Sequence, residues 1–180
     1  LPLLAHDSVI VAFDDSLTFG TGAQPMKSYP AVLGKNVDRR VVNAGYPGEM
    51  TSQGLSHLPI ILDREKPALL LLCLGVNDQL LNINQQKVAN NIKEMIQLAW
   101  KREVPVVLIA VPDLEPSPSR PPMYRKIARE FCIPIEEEVL SAILAADSTL
   151  KADKVHPNAA GYRLMAESIA SLLHRSGARK

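Results

Sequence analysis

Ser16, Asp153 and His156 supply a hydroxyl, a carboxylate and an imidazole, the three groups that nucleophilic hydrolysis by serine requires. A serine hydroxyl is a weak nucleophile until a base takes its proton, and that base needs a partner to fix its tautomer. In this chemistry Ser16 attacks and His156 is the base. Asp153, three residues before the histidine, accepts a hydrogen bond from its other ring nitrogen. Charge then builds on a substrate oxygen and needs donors. The backbone N–H groups of Ser16 and Gly48 and the side-chain amide of Asn77 are candidates for such an oxyanion hole. One missing donor costs roughly 100- to 1000-fold in rate, so three that converge would matter. The chain has no Gly-x-Ser-x-Gly stretch, which argues against the nucleophile elbow of ordinary α/β-hydrolases.

Alternating strand-like and helix-like segments must position these groups. Val9 to Phe13 reads as a first strand, Arg40 to Ala44 as a second and the leucine-rich Ala68 to Leu74 as a third, covered on both faces. Val104 to Val111 and Ile133 to Ile135 complete about five. Helical spacing marks Ser28 to Val37, Thr51 to Leu62, Asn84 to Arg102, Pro122 to Glu130 and Ala159 to Leu173. Pro30 is tolerated in a first turn, whereas Pro59 suggests a kink or a late start. Asp113 to Pro122 is rich in Pro and Ser and reads as a loop, with the character of a lid. The alternation implies a parallel sheet with helices on both faces and right-handed crossovers. Ligands of such sheets bind beyond the carboxyl ends of the strands. Asp15-Ser16, Asn43 to Gly48 and Gly75-Val76-Asn77-Asp78 follow strands one, two and three, and Asp153 to Asn158 precedes the last helix. Their coincidence carries more than any one cluster.

Bulk properties narrow the classes. At 180 residues and 47% hydrophobic, the chain suits one domain, residues 1–180, with a sizeable core. Twenty basic and nineteen acidic residues give a net charge of +1 with no dense basic block, so nothing points to nucleic acid. The basic end from Arg175 reads as a solvated terminus. Cys73 sits in an apolar run and Cys132 at a helix end, with no metal spacing between them. No run is long enough to span a membrane. The chain begins at Leu1, so a periplasmic or secreted location is expected if a signal peptide was removed there, and a cytoplasmic one otherwise. Oligomeric state is not legible.

Asp15-Ser16-Leu17-Thr18, Asn43 to Gly48, Gly75-Val76-Asn77-Asp78 and Asp153-Lys154-Val155-His156-Pro157 together resemble the four ordered blocks of the SGNH (GDSL) hydrolases. The stretch from Asn43 through Thr51-Ser52-Gln53-Gly54-Leu55 resembles the bacterial thioesterase I, lysophospholipase L1 and arylesterase branch. The resemblance implies a flavodoxin-like α/β/α sandwich and names Ser16, Gly48, Asn77 and His156 as site residues, with Asp153 completing a triad. It implies a serine esterase or thioesterase acting on small acyl esters or thioesters, with no cofactor and no metal. Asp14 departs from the pattern, which has glycine there. If the site needs a positive φ, aspartate adds strain of about 1–3 kcal/mol. A carboxylate about 4 Å from a forming oxyanion would oppose it by roughly 4 kcal/mol at an effective dielectric of ~20, and by little if it faces solvent.

Other readings stay open at this level. Carbohydrate O-deacetylation uses the same scaffold, and Asp14 could leave a weakened enzyme or a binding protein. The acidic pair after strand one, with Asp78, would suit a Mg²⁺-dependent phosphoryl receiver, but that needs a lysine after strand five, where Pro134-Ile135-Glu136 has none. Ser16 to Gly22 could pass for a flavin phosphate loop. Tyr46, Leu80, Leu114 and Pro116 either shape an acyl pocket or close the core. Asp78 reads as a loop brace, Glu136-Glu137-Glu138 as a solvated edge, and His6, His57 and His174 as surface or packing residues without partners.

Overall fold

The computed structural model describes residues 1–114, 118–120 and 122–178. Five strands form one parallel sheet: β1 (Val9–Asp14), β2 (Arg40–Gly45), β3 (Leu69–Leu72), β4 (Val106–Ile109) and β5 (Ile135–Glu136). Their order is β2-β1-β3-β4-β5, and every pairing is parallel. Residues Ile10–Phe13 and Leu69–Leu72 are inaccessible to solvent, as a sheet covered on both faces demands. Among the described residues eight α-helices supply the cover: α1 (Ser16–Phe19), α2 (Tyr29–Val37), α3 (Thr51–Glu65), α4 (Val76–Leu80), α5 (Gln85–Trp100), α6 (Pro122–Glu130), α7 (Val139–Ala145) and α8 (Ala159–Arg175). α2 packs against α8, and α3 against α5, giving the three-layer α/β/α sandwich expected from the alternation.

Local chemistry sets the boundaries. Asn84 and Asn158 cap α5 and α8 by accepting from N–H groups of the first turn. The Pro59 kink-or-late-start expectation resolves into a helix that begins at Thr51 and carries Pro59 inside it. β3 and β4 are shorter than their apolar runs, because the ladder between them covers only Leu70–Leu72 against Val106–Leu108. Pro105, with no N–H to donate, marks where β4 can begin. The fifth strand falls one to two residues later than the apolar pattern suggested, at Ile135–Glu136. Three short helices, α1, α4 and α7, have no visible period in the sequence, being four, five and seven residues long.

The solvated-edge reading of Glu136-Glu137-Glu138 needs correction at its first residue. Glu136 is buried and accepts from the N–H groups of Glu138 and Val139, at the start of α7, and from the Ser168 hydroxyl on α8. A carboxylate there complements the positive end of the helix. The lid reading of Asp113 to Pro122 falls in part outside the described residues, as does Pro116. Asp113 and Ser119 exchange a pair of backbone hydrogen bonds across that segment. Cys73 is buried and Cys132 exposed, both as free thiols. No helix among the described residues is long and apolar enough to cross a membrane.

Candidate active site

Ser16 stands where β1 ends. Asp15 caps the short helix α1, its Oδ1 accepting from the Leu17 N–H at 3.0 Å. Ser16 is thus the first residue of that helix, and its N–H has no acceptor within it. The side chain is 8% exposed at the carboxyl edge of the sheet. The loop before α8 brings His156 to it across 140 positions of sequence, with Nε2 3.0 Å from Ser16 Oγ. His156 Nδ1 lies 2.8 Å from Asp153 Oδ2. An ionised carboxylate can only accept, so Nδ1 carries the hydrogen and Nε2 is left to accept from the serine hydroxyl. Asp153 Oδ1 also accepts from the N–H groups of Val155 and His156, each at 2.9 Å. Partial burial pushes the Asp153 carboxyl up, but these two N–H groups and the imidazole outweigh it and hold the group below its usual range.

The three candidate oxyanion donors meet through their neighbours. The β1–β2 register sets Asp14 beside Gly45, and the Tyr46 N–H continues the ladder to the Asp14 carbonyl at 3.0 Å. Gly45 must be glycine because a Cβ would fall 2.2 Å from the Phe19 nitrogen. The next four residues, Tyr46-Pro47-Gly48-Glu49, close a turn in which the Glu49 N–H donates to the Tyr46 carbonyl at 3.0 Å. Proline at its second position and Gly48 at φ +82° at its third make it type II. The Gly48 N–H has no acceptor among the described residues. Asn77, in α4, donates from Nδ2 to the Glu49 carbonyl at 2.9 Å and to Asp15 Oδ2 at 3.1 Å. Its amide therefore joins the residue after Gly48 to the residue before Ser16.

Asp14 takes neither orientation considered from sequence. Its φ is not positive, so no glycine-only backbone and no associated strain exist there. The side chain is fully buried rather than solvated. Oδ2 accepts from the Thr18 hydroxyl at 3.1 Å, and Thr18 Oγ1 lies 2.9 Å from the Tyr29 hydroxyl. Thr18 has one hydrogen to give, so the relay runs from Tyr29 to Thr18 to Asp14. Burial, reinforced by the neighbouring Asp15, pushes the Asp14 carboxyl well above its ordinary value. Asp15 is raised by burial too, to about 6, but the Leu17 N–H and other contacts pull it back.

Several supporting residues escaped sequence reasoning or showed only their type. Asp78 does brace its loop: it is buried and accepts from both the N–H and the hydroxyl of Thr51, at 2.9 and 2.7 Å, fastening α4 to the start of α3. Asp78→Ala leaves both Thr51 donors without that acceptor and is expected to cost about 2–3 kcal/mol of stability, read from urea unfolding. Asn43 Nδ2 donates to the Thr18 carbonyl at 2.8 Å and ties β2 to α1. His57, read as lacking a partner, sits 2.6 Å from Glu49 Oε1, and His6 pairs with Asp38 at 3.4 Å. Glu49 is legible only as the residue after Gly48; nothing in the sequence connects it to His57, eight positions on. Among the described residues no group of three or more His, Cys, Asp or Glu could hold a metal ion.

Two cavities are lined by residues of the segments that carry the site. One of about 750 Å³ is lined by Leu80, Ile83, Leu114, Leu144 and Val155, the residue before His156, with Lys151 and Lys154 on its wall. The other, about 310 Å³, is formed by Phe19, Gly20, Ala23, Asn43 and Tyr46. Tyr46 and Leu80 thus line open space, and Leu114 lines it while also packing against the core. Burial raises the carboxyl of Asp113, which borders the larger cavity.

The chain is 27% identical over 177 residues to "Esterase TesA" of Pseudomonas aeruginosa, covering 92% of this chain and 87% of the relative. It is 26% identical over 176 residues to "Thioesterase 1/protease 1/lysophospholipase L1" of Escherichia coli K12, covering 94% and 84%. The crystal structure of the psychrotrophic esterase EstA from Pseudoalteromonas sp. superposes with a TM-score of 0.83 at 18% identity, over 94% of this chain and 98% of that one, and so shares the fold. The model of the GDSL-like lipase/acylhydrolase family matches residues 13–164, which contain all four blocks of the site. The chain belongs to the GDSL-like lipase/acylhydrolase family.

Proposed function

We propose that this acylhydrolase-family chain is a serine esterase or thioesterase working through an acyl-serine intermediate. The observation that carries the reading is the relay Ser16–His156–Asp153, with links of 3.0 and 2.8 Å. Ser16 Oγ adds to the acyl carbonyl while its proton passes to His156 Nε2, and Asp153 stabilises the imidazolium. The oxyanion accepts from the N–H groups of Ser16 and Gly48. It also takes one Asn77 amide hydrogen, displacing one of that amide's two present acceptors. Collapse breaks the bond to the leaving oxygen or sulfur, which takes the proton from His156. Water, deprotonated by His156, then adds to the acyl carbon and releases the acid and free Ser16. The placement of Asp14 supports an active enzyme over a disabled binding protein, since its side chain is buried and bound to the Thr18 hydroxyl.

The larger cavity supports an acyl group longer than acetyl. Turnover of p-nitrophenyl esters from acetate to dodecanoate is expected to peak beyond acetate. Ile83→Trp, which fills part of the cavity, should lower kcat/KM for the longer esters by roughly 10-fold or more while sparing acetate. Best turnover on acetate, unaffected by Ile83→Trp, would favour the deacetylase reading instead. Absence of turnover on every ester and thioester would defeat the proposal.

A further inference from the structure

We infer that His57 is a positioning residue for the oxyanion hole: its ring holds both ends of the turn that presents Gly48, and through Glu49 it sets the place of Asn77. The inference rests on the proposed function and assigns a role within that same site. The turn runs from Tyr46 to Glu49. His57 lies on α3, which begins two residues after the turn. Its ring centroid is 5.2 Å from that of Tyr46, with the planes inclined at 47°. Its Nδ1 is 2.6 Å from Glu49 Oε1. One side chain therefore contacts the first and the last residue of a four-residue turn whose third residue is the Gly48 donor.

The Glu49 contact reaches further. The Glu49 side chain is only 3% exposed, while that of His57 is 50% exposed. Glu49 Oε2 is buried with no hydrogen-bond partner among the described residues. His57 is thus the side chain that hydrogen-bonds this carboxyl group, through Oε1. The main chain of the same residue accepts the Asn77 amide at 2.9 Å. Two of the three oxyanion donors are located by Glu49, one through the chain and one through its carbonyl, and Glu49 is located by His57. A half-exposed histidine on a helix face has no comparable packing duty of its own. Misplacing donors by a fraction of an ångström weakens the transition state more than the bound substrate, so the loss belongs in kcat.

The test is steady-state turnover of p-nitrophenyl butyrate by wild type, His57→Ala and His57→Gln, with thermal unfolding of each. His57→Ala should lower kcat about 10-fold, a fraction of the 100-fold or more expected for a lost donor, with KM within about twofold. Glutamine keeps a donor toward Glu49 and should restore kcat to within about threefold of wild type. Unchanged kcat in His57→Ala overturns the inference. So does a rise in KM alone, which would make His57 a determinant of substrate binding, or an equal loss in both variants. Fluorophosphonate labelling of wild type separates this from the reading beneath it. A labelled, active wild type with an indifferent His57→Ala defeats the positioning role only, whereas an unlabelled and inactive wild type defeats both.

Discussion

Ser16→Ala is expected to abolish covalent labelling by a fluorophosphonate and to lower kcat on p-nitrophenyl esters by on the order of 10⁴-fold or more. The substitution removes one oxygen and nothing that the fold depends on. Ser16 is the first residue of α1, and among the described residues its side chain is hydrogen-bonded to His156 alone. The cap that starts α1 belongs to Asp15, so the helix and the β1 edge should survive. His156 remains held by Asp153 and by its own main chain, and the three proposed oxyanion donors remain in place. What is lost is the atom proposed to form the acyl bond, and the residual rate reports the proposed hole and the cavities without it. Mass spectrometry of the labelled protein checks the site directly. Label retained in Ser16→Ala, or mapped elsewhere in wild type, would overturn the assignment. An unfolded Ser16→Ala is excluded by circular dichroism against wild type.

Asp14→Asn is expected to stabilise the protein at neutral pH and to flatten the fall in its stability as pH rises. The sign follows from the direction of the shifts. Both acidic residues at the end of β1 have carboxyls raised above their unfolded values, Asp15 to about 6 and Asp14 further. A raised group binds its proton more tightly in the native state. Its contribution is intact below the unfolded value of about 3.9 and is lost as pH climbs through the folded one. Each such group removes about 1.4 kcal/mol of stability per pH unit across its window. Asp15 gives up its share between about 4 and 6. Asp14, which is fully buried and raised further, continues to lose stability above that. Asparagine keeps the shape and the acceptor for Thr18 without titrating. Urea unfolding of the two proteins between pH 5 and 8 should therefore give curves that diverge as pH rises. Parallel curves would show that Asp14 is ionised in the native state. Ester turnover by Asp14→Asn should stay near wild type, because asparagine keeps the shape and the acceptor for Thr18.

The sheet and the active-site blocks were legible for different reasons. Long apolar runs with breaks, such as Val9 to Phe13 and the leucines of β3, reflect burial on both faces, a local property that any parallel strand imprints on its own residues. Asp153 and His156 were legible because their contact is also local, three residues apart within one loop. Ser16 and His156 are 140 positions apart, yet the rule that sites lie beyond strand ends brought them together, since topology alone places those ends on one edge. Strand limits were less legible, because the last residues of a run pair only if the neighbouring strand extends as far. α1, α4 and α7 have too few residues to show a period.

What the sequence by itself determined was the order of strands and helices, the edge where chemistry can occur and the kinds of group gathered there. It also marked Asp14 as the residue out of pattern. Only the tertiary structure decided what Asp14 does, because the two faces of a strand end lead to different surroundings, and this one leads into Thr18 and a hydrophobic interior. Only it turned Glu136 from a solvated edge into a helix cap. It alone paired His57 with Glu49, because that contact depends on how α3 is rotated against the turn before it. Local patterns record burial; partners and protonation states depend on neighbours distant in the chain.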